Sequence, residues 1–289
     1  MKRVSSAVLA LALVFSVAVP VTAAHGVQPK KMCKTGGKGT DRDPYTICSV
    51  DDFEKIREQP GKSYELGADI DFPSAELNNY TPITQFTGTL DGRNHKISSL
   101  ATYSGGLFLE NYGKVVNLRV VDSNISSEYA GTIANVNYGT IRNVGVHGKV
   151  QGGNTGLIAG TNSGTIALSE ASGTLIGTVV GGIAGTNGPN GLIEHSISSV
   201  QVSGFAQAGG LVGLNNGEIR SSLSTGDVSI YAGGAGGFAA ANNPGGKIVN
   251  SLSLGKVNAA TGAIDVGRFA GKNYGVIQSS IGLGPVVYS

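Results

Sequence analysis

The sequence predicts an all-β protein, a parallel β-helix or β-solenoid of about seven coils with an N-terminal cap that contains a short helix. Three observations predict it. Glycine supplies 46 of the 289 residues and charged residues only 14%, so a conventional core of large side chains is excluded. Hydrophobic residues make up 40% and the net charge is +2, a balance that disordered chains do not have. The third observation is a repeat.

The repeat is an apolar residue followed four positions later by asparagine, as in Leu211 and Asn215. It occurs seven times from residue 105 to the end, with successive asparagines 26, 25, 25, 28, 27 and 31 residues apart. The seven asparagines are Asn111, Asn137, Asn162, Asn187, Asn215, Asn242 and Asn273. A period near 26 fits one coil of three short strands, and repeats of this length are typical of solenoids. Helical repeats are excluded, because several interior glycines would each cost about 1 kcal/mol.

A second spacing supports the coil. After each asparagine come a glycine and an aliphatic residue, with another aliphatic nine positions later, as in Ile219 and Val228. The first copy departs from this rule, because Val115 plus nine is Asn124 and the nearest aliphatic is Ile125. Extra residues occur only where turns are expected, at 187–191, 242–246 and 258–265. Constant strand spacing with variable turns is what stacked coils require.

Residues 1–24 are predicted to be a cleaved secretory signal peptide. Lys2 and Arg3 precede an apolar run from Ala7 to Val19, and small residues follow at 22–24, which is the layout of such a signal. A membrane anchor is the alternative, but the run is shorter than the roughly 20 apolar residues that span a bilayer. We therefore expect a secreted or cell-surface protein, with the periplasm as a further possibility, and no transmembrane span.

Residues 25–104 are predicted to form the N-terminal cap and first coil, ahead of repeats at 105–289. Cys33 and Cys48, the two cysteines of the chain, most simply form a disulfide in an exported protein. Free thiols and a zinc site are weaker alternatives, because no Cys-x-x-Cys or histidine ligand spacing is present. Ser49 and Asp52 fit a helix N-cap. Strands are expected within 63–72 and 86–100.

The asparagines have two structural interpretations and one functional one. Asparagine tolerates the left-handed turn conformation, and stacked asparagines can hydrogen-bond to one another along a fibre or solenoid axis. A seven-fold array that binds a ligand is the third interpretation. The last coil has no visible cap, so we expect its end to be covered by a partner, by end-to-end self-association or by its own turns.

The repeats resemble a known motif. "GGLVGLNNGEI" (209–219), "GGIAGTNGPNGLI" (181–193) and "TGLIAGTNSGTI" (155–166) are similar to the GLUG motif of exported bacterial proteins. The segment from Gly39 to Leu100 is similar to the region that precedes such repeats. The resemblance implies an adhesin-like β-solenoid, related to regions that flank immunoglobulin-A-cleaving metallopeptidases. It does not imply their activity, because His-Glu-x-x-His is absent.

Other chemistry has little support in the sequence. The acidic residues of the coils occupy different positions within the repeat, and Glu194–His195 is the only acid–histidine neighbour in the coils. Adjacent residues on a strand point to opposite faces, so we expect no catalytic role for His195. No helix follows the glycines as a nucleotide-binding loop requires. Seven of the 21 basic residues precede residue 44 and the rest are scattered, which disfavours nucleic acid binding.

The expected function is therefore a secreted, non-catalytic β-solenoid that acts as an adhesin-like or structural binding module, with no cofactor and no metal. A surface glycan or protein is the expected ligand. The alternative is a carbohydrate-active enzyme of β-helical fold, a lyase or hydrolase. Tyr112, Tyr138 and Tyr274 follow the ladder asparagine in three copies. They could stack on a sugar ring, although packing at the turn is the simpler interpretation.

Overall fold

A computed structural model describes residues 33–74 and 78–289. The predicted signal peptide, residues 1–24, lies outside the described residues. No helix in the described part of the chain is long and apolar enough to cross a membrane.

The chain winds as a parallel β-solenoid with three sheets along its length. Every pairing between strands in these sheets is parallel and joins one coil to the next, as between Ile193 and Ile219. The predicted fold class is confirmed, but the count of about seven coils is too low, since the solenoid has about nine turns. The additional turns come from residues before 105, which lack the glycine–asparagine motif but contribute strands to all three sheets.

Sheet 1 follows the ladder asparagine in each coil and has ten strands. They are Tyr45–Ile47, Ser63–Leu66, Thr89–Asp91, Lys114–Val116, Thr140–Arg142, Thr165–Ala167, Leu192–Glu194, Glu218–Arg220, Lys247–Val249 and Val276–Gln278. The middle residue of each strand from the third to the ninth is fully buried. This file holds the first aliphatic of the nine-residue spacing.

Sheet 2 is the largest and has fifteen strands. They are Ile70–Asp71, Lys96–Ser98, Ala101–Thr102, Arg119–Ala130, Gly145–Gly156, Glu170–Gly181, Ile197–Gly209, Leu223–Ser224, Val228–Ile230, Gly233–Gly236, Leu252–Ser253, Val257–Ala259, Ala263–Gly267, Ile281–Gly282 and Val286–Tyr288. Four middle coils use one long strand where the later coils use two or three short ones.

Sheet 3 leads into the asparagine turn and has eight strands. They are Ile83–Phe86, Phe108–Asn111, Ala134–Asn137, Ala159–Asn162, Ala184–Asn187, Val212–Asn215, Ala239–Asn242 and Ala270–Asn273. Seven of the eight end on a ladder asparagine, and the first ends on Phe86, which stacks on Phe108 with ring centroids 4.4 Å apart.

The irregular first repeat is explained by a β-bulge in the strand Arg119–Ala130. The pairing shifts by one residue between Val120 and Ser123, and Asp122 has a left-handed backbone with φ 54°. The extra residue lets Ile125 pair with Val150. The aliphatic file therefore continues without interruption although the sequence spacing is ten instead of nine, as a bulge permits.

The N-terminal cap contains a helix at Val50–Glu54, continued by a 3₁₀ turn at Lys55–Glu58. The Ser49 hydroxyl accepts from the Asp52 amide, as the cap pattern predicts. Asp52 Oδ2 in return accepts from the amide of Cys48 at 3.2 Å, one residue earlier than in the usual capping box. Phe53 and Ile56 are fully buried, so this short helix covers the first coils with apolar side chains.

A left-handed backbone position recurs two residues after the central aliphatic of sheet 1. The residues in it have φ between 49° and 53° and are Asn117, Asn143, Leu168, His195, Ser221, Asn250 and Ser279. This position turns each coil from sheet 1 into sheet 2. Leucine is an unusual occupant, because the left-handed conformation costs an L-residue with a large side chain about 1–2 kcal/mol.

One inward-facing file of side chains becomes smaller along the solenoid. This file of sheet 2 reads Val120, Val146, Ala171, Ser198, Ser224, Ser253 and Gly282. The serine hydroxyls lie against glycines of the opposite wall, where a Cβ on Gly182 would meet Ser198 Oγ at 1.9 Å. Only glycine fits there. The later coils therefore bury less apolar surface in this file than the earlier ones.

Candidate functional site

The seven asparagines form one continuous hydrogen-bonded file inside the solenoid. The side-chain amide of each of the first six donates to the side-chain oxygen of the asparagine in the next coil, at 2.7–2.9 Å. In four of them the same amide also reaches a backbone carbonyl of its own turn at 3.1–3.3 Å. The first six are fully buried. Stacked amides thus satisfy one another and close the turn between sheets 3 and 1.

A second polar file, made of serines, was not predicted. Ser169, Ser196, Ser222, Ser251 and Ser280 lie one above the other. The backbone amide of each of the first four donates to the serine hydroxyl of the next coil at 3.0–3.3 Å. Each hydroxyl donates to the carbonyl two residues earlier at 2.8–3.0 Å. The serine hydroxyls thus give hydrogen-bond partners to backbone groups at the left-handed turn between sheets 1 and 2. The asparagine side chains do the same at the turn between sheets 3 and 1.

The predicted disulfide between Cys33 and Cys48 is present, with their Cα atoms 5.6 Å apart. It fixes the leading segment beside the first strand of sheet 1, where the Thr46 amide donates to the carbonyl of Gly36 at 2.9 Å. The bond therefore anchors a segment that partly covers the first strand. Among residues 33–74 and 78–289, no cluster of histidine, cysteine and carboxylate side chains could hold a metal ion.

A cavity of about 320 Å³ lies between this leading segment and the cap helix. Tyr45 and Tyr64 form one wall, with ring centroids 5.6 Å apart. Burial raises the pKa of Tyr64 to about 12. Burial opposes ionisation of Asp52, but hydrogen bonds from Lys55, Ser49 and the Cys48 amide outweigh it and lower the Asp52 pKa. The charged groups here stabilise the cap.

A groove of about 390 Å³ crosses the first coils on the outer face of sheet 1. It brings together three carboxylates and three cations: Asp41, Glu65, Asp91, Arg42, Arg93 and Lys114. Glu65 lies 3.6 Å from Arg93 Nε. Sequence reasoning missed this cluster, because residues 25–104 were predicted to be a cap and a single coil, without the strand register that places Glu65 and Asp91 in one file.

Asp91 is held by the backbone around it. Its Oδ1 accepts from the amide of Arg93 at 2.8 Å and from the side chain of Asn117 at 3.1 Å. These bonds give Asp91 a turn-forming role. Glu65 is the carboxylate in the groove whose salt bridge is long, so it is the group there with most freedom to meet a ligand.

Glu194 and His195 do not have the geometry that adjacent strand residues would give them. The strand of sheet 1 ends at Glu194, and His195 is in the left-handed conformation. The ring therefore turns back, and His195 Nδ1 lies 3.8 Å from Glu194 Oε2. The expectation that the two side chains point apart is wrong. The same Glu194 oxygen lies 2.7 Å from the Arg220 guanidinium. The Glu194 carboxylate is therefore engaged in a structural ion pair.

Tyr112 and Tyr138 form an exposed stack at the turn after sheet 3. Their ring centroids are 4.7 Å apart and their planes differ by 15°, while 46% and 45% of the two residues are exposed. Desolvation and the neighbouring Glu110 carboxylate raise the pKa of Tyr112. Tyr274 stands apart from this pair, because asparagines and small residues fill the file between them.

A second exposed stack lies in the last part of sheet 2, and no sequence signal identified it. The rings of Phe205 and Tyr231 have centroids 5.4 Å apart and planes 19° apart. The two residues are 53% and 59% exposed. The structure thus carries two aromatic pairs on two different corners. All other large aromatic stacks, such as Phe238 on Phe269, belong to the described interior.

Comparison with known proteins gives a fold and partial sequence similarity. No protein-family model matches the chain. Halomucin of Haloquadratum walsbyi (strain DSM 16790 / HBSQ001) is 33% identical over 142 residues, 41% of this chain. The chain spans about 2% of the length of that curated relative.

Two solved structures share the architecture. A candidate immunoglobulin A1 protease from Bacteroides ovatus has a TM-score of 0.54 and 20% identity, with 87% of this chain and 86% of that chain covered. An IgA1 protease has a TM-score of 0.63 and 20% identity, with 84% of this chain and 21% of that chain covered. At this identity the likeness shows a common fold alone.

Proposed function

We propose that the protein is a secreted β-solenoid of the GLUG type that acts as an adhesin-like or structural binding module at the cell surface, without catalysis. One observation carries the proposal. The residues that define the repeat lie in buried files, whereas the exposed positions differ from coil to coil and include two stacked aromatic pairs.

The division between interior and surface is the physical argument. The asparagine and serine files satisfy the turns, and the aliphatic files fill the core, so the repeat accounts for the fold. Exposed aromatic rings have no such role, because their burial would stabilise the chain more than their exposure does. Ring faces on a rigid rod are suited to contact a ligand with little loss of conformational entropy.

The extracellular location is supported by two findings. The Cys33–Cys48 disulfide belongs to an oxidising environment, since cytosolic thiols are usually kept reduced. The shared fold with proteins named immunoglobulin A1 proteases is in keeping with a protein that works outside the cell.

The test is binding of residues 25–289 to arrays of glycans and of surface proteins. The expected result is saturable binding to at least one immobilised ligand, lost when the protein is heat-denatured. Degradation of a polysaccharide with no retained binding would overturn the proposal, and so would the absence of binding on both arrays.

A second candidate, a carbohydrate-active enzyme, is favoured by one observation: the carboxylate-lined groove of sheet 1. Paired carboxylates beside cations are the groups that glycosidic bond cleavage uses. The test is release of reducing or unsaturated ends from a panel of acidic and neutral polysaccharides, with Glu65→Gln as the variant and Glu110→Gln as its control. Activity that Glu65→Gln abolishes would support this candidate, and inactivity on every polysaccharide would remove it.

A further inference from the structure

A segment near the end of sheet 2 lengthens stepwise along the solenoid. We define its corner segments as the residues between two positions that stay paired from coil to coil, Ser127 and Ala130 in the first of them. Successive corner segments are 128–129, 153–154, 178–179, 205–207, 231–234 and 260–265. The first three have two residues each, and the later ones have three, four and six. The two aromatic residues of the exposed stack stand in the first two lengthened segments.

Phe205 stands at the step itself. Its pairing to the previous coil shifts between Gly177 and Val179, because the segment 205–207 has one residue more than 178–179. A bulge of this kind adds nothing to the ladders on either side, but it redirects a side chain. The buried files continue past it, since Gly204 pairs with Gly177 and Ala208 with Val180. The inserted residue therefore changes the outer surface of the rod and leaves the buried files unchanged.

One face of Phe205 is covered by Tyr231. On its other side the corner is short, and the corresponding residues of the two preceding coils are Thr178 and Gly153. Neither of them carries a ring. With coils spaced about 4.8 Å apart, the free face of Phe205 looks onto a shelf two coils deep, with the Thr178 side chain exposed on it.

The floor of this shelf is uncharged, since no Asp, Glu, Lys or Arg occurs within 151–156, 176–181, 201–209 or 229–236. One carboxylate borders its far end, because the exposed Glu128 takes the same position one coil before Gly153. The other polar groups are hydroxyls and amides. Asn154 donates to Thr161 Oγ1 at 3.1 Å and accepts from Thr186 Oγ1 at 3.2 Å, which places a fixed amide beside the shelf. Gln207 follows Phe205 in the same corner segment.

We propose that the free face of Phe205, above Thr178, binds a ring of a neutral glycan, so that the sugar extends the Phe205–Tyr231 stack by one place. This inference rests on the proposed function and names the ligand class. A pyranose ring has one apolar C–H face and a rim of hydroxyls, which matches an aromatic face bordered by amide and hydroxyl groups. Acidic glycans and nucleic acids are disfavoured, because no cation lies near to compensate their charge.

The experiment measures retardation of residues 25–289 in gels that contain one soluble polysaccharide. The neutral probes are mannan, xyloglucan and arabinan, and the acidic ones are polygalacturonate and hyaluronan. Wild type is expected to be retarded by at least one neutral probe. Phe205→Ala should weaken that binding at least tenfold, whereas Tyr112→Ala, at the equally exposed stack beside Glu110, should change it less than twofold.

A second variant tests the site without removing the packing of Phe205 on Tyr231. Thr178→Phe fills the shelf with a ring and should abolish binding while Phe205 is still present. A urea unfolding midpoint equal to that of the wild type is the control that shows each variant to be folded. Binding only to acidic probes, or neutral binding unchanged in both Phe205→Ala and Thr178→Phe, overturns the inference.

The outcomes separate this inference from the proposed function. If the protein binds a protein or another ligand on the arrays and Phe205→Ala leaves that binding unchanged, the proposed function stands and the Phe205 site is wrong. If neither the arrays nor the gels show any binding, both are wrong.

Discussion

Replacing Asn215 by leucine tests the asparagine file directly. Asn215 is fully buried and makes three hydrogen bonds in the middle of the rod. Its amide donates to Asn242 Oδ1 at 2.8 Å and to the carbonyl of Gly217 at 3.1 Å, and its oxygen accepts from Asn187 at 2.9 Å. Leucine has a similar volume, so the change removes hydrogen bonds and leaves no large cavity.

The expected loss of stability is about 4–6 kcal/mol. Each hydrogen bond contributes about 1 kcal/mol net, and a buried polar atom left without a partner costs about 1–3 kcal/mol more. Asn187 keeps acceptors in the carbonyls of Gly191 and Glu218. Asn242 Oδ1 loses its donor, so it is the atom that carries the additional cost.

The assay is urea unfolding followed by circular dichroism, with free energies compared at equal slope. Asn273→Leu is the matched control, because Asn273 is the same residue type in the same file but is exposed and only accepts from Asn242. It should cost less than about 1 kcal/mol. Equal losses in the two variants, within about 0.5 kcal/mol, would refute the view that the file stabilises the interior.

Three further predictions concern features that the structure revealed. Leu168→Asn should raise the free energy of unfolding by about 0.5–1 kcal/mol, because an exposed leucine then no longer occupies the left-handed position; a lower urea midpoint would contradict this. Ser222→Ala should cost about 1–2 kcal/mol through two lost hydrogen bonds, whereas Ser224→Ala, whose buried hydroxyl has no partner in the described chain, should cost nothing or stabilise. The Asp52 pKa is lowered in the folded state, so its stabilisation is present above the unfolded pKa of about 3.9 and is lost as pH falls through the folded pKa. The advantage of wild type over Asp52→Asn should therefore be full at pH 7 and shrink below about pH 4 in urea titrations; an advantage that grows on acidification would disprove it.

The asparagine spacing could be recognised in the sequence because one residue type is needed at one place in each of the seven repeats. Side-chain amides can both donate and accept along a file, and few other residues can replace them. The left-handed position escaped notice for the opposite reason. The constraint there is on the backbone, and asparagine, leucine, histidine and serine all occupy it. The predicted number of coils was too low because the pairing of the N-terminal turns is set by strand register, without the glycine–asparagine motif.

The candidate sites were harder to predict than the fold. The Phe205–Tyr231 stack depends on two corner segments that each have one residue more than the segment before, and a sequence alignment counts such residues as turn variation. The serine file depends on a residue that is also common on surfaces, and the first two repeats have Leu118 and Val144 in place of serine. Glu65 and Asp91 become neighbours only once the first coils are stacked.

The file whose side chains shrink from Val120 to Gly282 gives the rod a mechanical direction. Each coil holds mainly to the coils above and below it, and the coils lined by Ser198, Ser224 and Ser253 have the weakest hold in the file they share. If tension were applied between the two ends, the windings would peel away one after another from the serine-lined side, while the disulfide-bonded head stayed closed. A released winding of 25–31 residues would lengthen the molecule by about 80–110 Å, so a tether of this kind would absorb a sudden pull in small steps.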